Sequence, residues 1–128
     1  DSQDALRGNL LYDVASLIDD VRIKLPIKLK SSLFSYYLSK TSKIKNNTEK
    51  LLAQNDFDIL SVQRNLKILG IFVRLFKRDH KLSYLKFLPY AWKLLELRLK
   101  NPIFINLKYL LNKAVPIKNR KKVKFNDN

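Results

Sequence analysis

Apolar residues recur along this chain at intervals of three and four positions and hardly ever alternate, a pattern that predicts helices and no strands. Leu10, Val14, Leu17, Ile18 and Val21 fall on one such face, which reads as a helix over residues 10–24. Pro26 suits the first residue of a second helix, 26–39, because the N–H it lacks would be unpaired there anyway. The polar run TSKIKNNT, residues 41–48, contains the turn-forming pair Asn46 and Asn47 and reads as a surface loop.

The longest helix is predicted from Asp56 to Lys77. At about 100° per residue, Gln63, Lys67, Gly70, Arg74 and Lys77 share one narrow stripe, and nearly everything else is apolar. That helix is expected to pack on several sides and to centre the core. Gly70 within the stripe predicts the close approach of a neighbouring element. Arg78-Asp79-His80-Lys81 breaks the period, which Tyr84, Leu85, Leu88, Trp92, Leu95 and Leu99 resume in a helix interrupted or restarted at Pro89. A short helix follows Pro102. From Val115 onward Lys118, Arg120, Lys121, Lys122 and Lys124 dominate without periodicity, so the chain divides into a packed part, 1–114, and a basic tail, 115–128, expected to be mobile.

Composition narrows the chemistry. The 128 residues are 46% hydrophobic, enough for one core, and carry 26 Lys and Arg against 11 Asp and Glu, a formal charge of +15. Without cysteine there are no disulfides and no thiolate metal sites, and a reducing compartment is permitted. The one histidine, His80, can neither complete a zinc site nor serve a Ser-His-Asp triad with a partner the pattern does not supply. Two glycines cannot build a phosphate-cradling loop. No apolar run approaches the roughly 20 residues of a membrane helix, and the start has no signal-peptide pattern. The chain contains no methionine, so coding sequence upstream of Asp1 is expected.

In so basic a chain it is conspicuous that Asp1, Asp4 and Asp13 all fall in the first thirteen positions. From the residues alone, Asp1 can be an ordinary terminal acid, Asp4 an exposed turn acid and Asp13 a helix N-cap. The order Asp1-Ser2-Gln3-Asp4-Ala5, a turn with Gly8, then Tyr12-Asp13-Val14-Ala15-Ser16-Leu17 resembles the aminoglycoside phosphotransferase-like kinases. The later run Gln63-Arg64-Asn65-Leu66-Lys67-Ile68-Leu69-Gly70-Ile71-Phe72, followed by Arg74-Leu75, Arg78-Asp79, Tyr84-Leu85, Leu88-Pro89 and Trp92, is similar to the branch of bacterial cell-wall amino-sugar kinases that phosphorylate N-acetylmuramate and N-acetylglucosamine.

The resemblance implies the helical C-lobe of a protein-kinase-like fold, with the nucleotide lobe and the catalytic loop upstream. It implies ATP and Mg²⁺ as cofactors of the complete protein, a small sugar as substrate and a cytoplasmic location. No catalytic residue is expected in this chain. Asp1 matches the acid that holds magnesium, a hard cation suited to carboxylate oxygens. Asp13 matches the acid that anchors the catalytic loop, and Asp4 would lie near the metal or the substrate. Two departures stand out: Ser2 occupies a position usually held by Phe, and His80 replaces a common glycine, which predicts strain if its φ is positive. A membrane span is not expected, and neither is nucleic acid as a partner. The readings that compete are a non-enzymatic basic helical module binding nucleic acid, which explains the charge but not the acids, and an inactive truncated remnant.

Overall fold

The computed structural model describes the backbone of residues 2–41, 44 and 46–120, and side chains from residue 10 onward apart from Tyr84. Among these residues there is no strand. The helices are α1 (Ser2–Ile18), α2 (Ile27–Lys40), α3 (Asn47–Asp79), α4 (Leu88–Arg98), α5 (Ile105–Ala114) and α6 (Ile117–Arg120), with 3₁₀ turns at Leu82–Tyr84 and Pro102–Phe104.

Helix α1 begins well before the expected residue 10, and the turn expected at Gly8 is helical. Its buried face is Leu11, Ala15 and Ile18, whereas Leu10 and Leu17 are exposed, Leu17 by 63%. Of the expected face, Val14, Ile18 and Val21 do pack into the clusters, while Leu11 and small Ala15 take the inward places expected of Leu10 and Leu17. After Ile18, Asp19 and Asp20 end the helix; the Asp20 side chain accepts a hydrogen bond from the Arg22 backbone N–H at 2.8 Å, closing a local turn. Pro26 stands just outside α2 in extended conformation, and its carbonyl accepts from Lys30 N–H at 3.0 Å.

Helix α3 spans 33 residues, about 50 Å of rise, and starts nine residues before the expected Asp56. The start is set by a reciprocal cap: Asn46 Oδ1 accepts from Glu49 N–H at 2.8 Å while Asn46 Nδ2 reaches Glu49 Oε1 at 3.3 Å. The first turns have Leu51 and Leu52 exposed, so capping and not an apolar face defines this end. As expected, α3 is central, packing on α1 and on α4. Gln63, Lys67, Gly70, Arg74 and Lys77 form its exposed stripe, but Ile71 and Val73 are exposed as well, so the helix is covered less completely than its sequence suggested. Gly70 needs no close neighbour: a Cβ added there meets nothing within 4 Å, which corrects the expectation of a tight approach.

His80 closes α3 at φ 54° and ψ 26°, the left-handed conformation in which a side chain is strained and glycine is not. Its N–H still caps Phe76 carbonyl at 2.7 Å. Replacing His80 with glycine is expected to stabilise the fold by about 0.5–1 kcal/mol, read as a higher midpoint in urea unfolding at unchanged slope.

Two apolar clusters result. Leu11, Ala15, Ile18, Phe34 and Phe57 join α1, α2 and the first half of α3; Val21, Val62, Leu69, Ala91, Leu94, Leu95 and Leu99 join α3 to α4. Pro89 lies in the first turn of α4, where a missing N–H is tolerated. Order continues past residue 114, the boundary expected for the tail. Arg120 of α6 is buried, its guanidinium 4.6 Å from the Trp92 ring and hydrogen bonded to Val115 O, Glu96 and Asn112 at 2.9, 3.2 and 2.9 Å. An aromatic face and three acceptors outweigh the lack of apolar periodicity. The rest of the expected tail, 121–128, lies outside the described residues.

Candidate functional site

Asp1, expected to hold magnesium, lies outside the described residues. Asp4 falls within α1, and its side chain is not among those described. Asp13 sits on the exposed side of α1 in mid-helix, which removes the N-cap reading but leaves its part in a catalytic loop untouched. Its neighbour Tyr12 is also exposed and meets Arg64 of α3, which donates from Nη1 to the Tyr12 hydroxyl at 3.3 Å and lies 5.9 Å from the ring centroid. The Tyr-Asp pair thus marks an outward face of the α1–α3 seam.

The charged centre that the helices do assemble is one the sequence reading passed over. Asp19, fully buried, accepts four hydrogen bonds: Lys30 Nζ at 2.9 Å and Arg98 Nη2 at 2.9 Å on Oδ1, Arg98 Nε at 2.7 Å and Ser61 Oγ on Oδ2. Lys30 Nζ also donates to Ile18 O at 2.6 Å. The Arg98 guanidinium lies 4.7 Å from the Phe57 ring and 3.8 Å from Asp58, which in turn accepts from Gln54 at 2.8 Å and from Asn101 at 2.9 Å. Three helices and the turns after α1 and α4 converge here. The arrangement sits at the join of the two apolar clusters, since Asp19 lies between Ile18 of one and Val21 of the other.

The electrostatics follow from this packing. Burial alone would raise the Asp19 carboxyl, but Arg98, through hydrogen bonds and charge, with Ser61 and Lys30, holds its pKa below the ordinary 3.8. At Asp58 burial wins: its pKa is raised despite Asn101, Gln54 and Arg98, with the charge of Asp19 adding to the rise. Next to it, hydrogen bonds from Arg22 lower the pKa of the buried Asp20, and the charge of Arg64 assists.

Chemically this is a closed node. Each oxygen of Asp19 already has donors, and among the described residues no three His, Asp or Glu side chains gather as a metal site would require. The Asp19 carboxylate therefore has no oxygen without a donor to offer a metal ion. Nor is any described helix long and apolar enough to cross a membrane. The signals available in sequence were the Asp19-Asp20 pair at the end of an apolar helix and Ser61 with Asn65, polar residues one turn apart on the buried side of α3. Arg98, 79 positions from Asp19, carries no local mark.

Among known proteins the chain is homologous, through a partial match, to the N-acetylmuramate/N-acetylglucosamine kinases. The particular relatives include the kinase of Caulobacter vibrioides, 28% identical over 121 residues that make up 94% of this chain and 32% of that protein. The Pseudomonas aeruginosa enzyme is 34% identical over 100 residues, 75% of this chain and 29% of its own length. That of Neisseria meningitidis serogroup B is 34% identical over 91 residues, 70% and 27% respectively. The chain thus spans about a third of the length of these curated relatives. No protein-family model matches it, and no solved structure does.

Proposed function

We propose that the chain is the helical C-lobe portion of an ATP-dependent phosphotransferase that, complete, phosphorylates a hydroxyl of a sugar or amino sugar in cell-wall recycling. The observation that carries this reading is the collinear match of 94% of the chain to an amino-sugar kinase. In such a transfer magnesium would neutralise phosphate oxygens, and Asp1 is the carboxylate assigned to it. Asp13, exposed on α1, is the acid we assign to anchoring a catalytic loop supplied by another part of the polypeptide, and Asp4 is assigned to the neighbourhood of the metal or the substrate. The buried Asp19 node takes no part in the transfer; it ties the end of α1 to α2, α3 and α4.

The acceptor follows from charge. Polycationic aminoglycosides need carboxylates around them, and a lobe at +15 suits a neutral or anionic sugar instead. The longest polypeptide encoded by the gene, assayed with ATP and magnesium, is expected to phosphorylate N-acetylmuramate or N-acetylglucosamine in preference to kanamycin, while the 128-residue chain alone transfers nothing. Preference for kanamycin would overturn the acceptor class. Turnover by the short chain would overturn the division of roles.

A further inference from the structure

Helix α5 is sparsely covered: none of its residues is buried, and Leu107 and Leu111 pack against the α3–α4 cluster. Its outer side combines large apolar groups with Asn106, Lys108 and Lys113. Ile105 is 72% exposed, Tyr109 and Leu110 60% each, and Ile103 and Ile117 in the elements on either side are 48% exposed. Scattered exposed apolar residues need no explanation, but several large ones on and beside one short helix do.

The charges around them have one sign. From Leu97 to Asn126 the sequence has no Asp or Glu, whereas Lys100, Lys108, Lys113 and Lys118 are all exposed. Lys113 Nζ lies over the Tyr109 ring, 5.0 Å from its centroid, so a cation and an aromatic group are presented together on this face. What covers this face must therefore be anionic and must also take up aliphatic side chains. A second copy fails the first condition, because two chains at +15 repel and the patch offers no acids to bridge them. Nucleic acid fails the second, since phosphates would pair with the lysines and leave Ile105 and Leu110 in water. A lipid surface meets both: an interfacial helix seats aliphatic and aromatic groups at the headgroup boundary while cations reach the headgroup phosphates.

We propose that α5 and its flanking turns form a peripheral docking face for an anionic lipid bilayer, with Ile105, Tyr109 and Leu110 at the acyl boundary and Lys108, Lys113 and Lys118 on headgroup phosphates. This does not depend on the chemistry of the complete protein. The 128-residue chain is expected to co-sediment with vesicles of phosphatidylcholine containing phosphatidylglycerol and not with phosphatidylcholine alone, and retention is expected to fall with added salt. Lys113→Gln should weaken binding about fivefold. The double variant Ile105→Ser, Tyr109→Ser should weaken it by on the order of tenfold or more, with an unaltered thermal melt because both side chains are exposed in the fold. The proposal is overturned by no retention on anionic vesicles, by equal retention of the double variant, by tighter binding to duplex DNA than to vesicles at the same salt, or by a concentration-dependent dimer that the double variant abolishes.

Discussion

Asp19→Ala is expected to destabilise the fold by about 3–5 kcal/mol, lowering the melting temperature by on the order of 10–20 °C. The reason is what the substitution leaves behind. Lys30 and Arg98 approach the Asp19 carboxylate from two sides, and Ser61 donates to it as well. Lys30 is buried and keeps only the Ile18 carbonyl once the acid is gone, so a cation stays in the interior uncompensated. Against a total stability of about 5–15 kcal/mol for a domain of this kind, that loss is a large fraction. Asp19→Asn is expected to recover little, because its amide would turn N–H donors toward a site already furnished with donors.

The same node sets how stability responds to acid. Asp19 has a folded pKa below its ordinary value, so the stability it contributes is fully present above 3.8 and is lost as pH falls through the lower folded value. Asp58 is opposite in sign: its folded pKa is raised, so the folded state holds the extra proton and stability declines as pH rises from 3.8 through the raised value. A melting profile descending from neutral pH is therefore expected to gain slightly where Asp58 protonates and then drop once Asp19 does. Asp58→Asn should remove the gain and keep the drop, and Asp19→Ala should remove the drop.

Helix content was largely legible because periodicity survives in a single sequence; where it misled, a tertiary or capping cause can be named. The apolar spacing of α1 was real, but Leu10 and Leu17 outscored Ala15 as core candidates, and only the packed fold reveals that a methyl group is what the inner face admits. The early start of α3 rests on Asn46 and Glu49, a polar signal that looks like loop when the search is for apolar runs. The strain at His80 could be foreseen because it followed from one backbone angle. Arg120, by contrast, looked like part of a solvated charge run, since its partners Trp92 and Glu96 lie more than twenty positions away.

The candidate site divides in the same manner. The family was legible from two separated motifs, Tyr12-Asp13 with its preceding acids and Gln63-Arg64 with its following run, and the match to amino-sugar kinases agrees with it. The Asp19 node was not, because a buried acid shows itself only through the cations that find it. Its three partners, Lys30, Ser61 and Arg98, come from segments that neither motif includes.

The most direct measurement is the turnover of the complete gene product with Asp1 replaced by asparagine, followed across a magnesium titration with N-acetylmuramate as acceptor. Loss of a metal-holding carboxylate removes several kcal/mol of transition-state stabilisation, so kcat is expected to fall on the order of a hundredfold or more, with a raised magnesium requirement and an unchanged thermal melt. Turnover and magnesium dependence equal to those of the parent protein would contradict the assignment of Asp1 and the reading of this chain as the helical wall of a phosphotransferase.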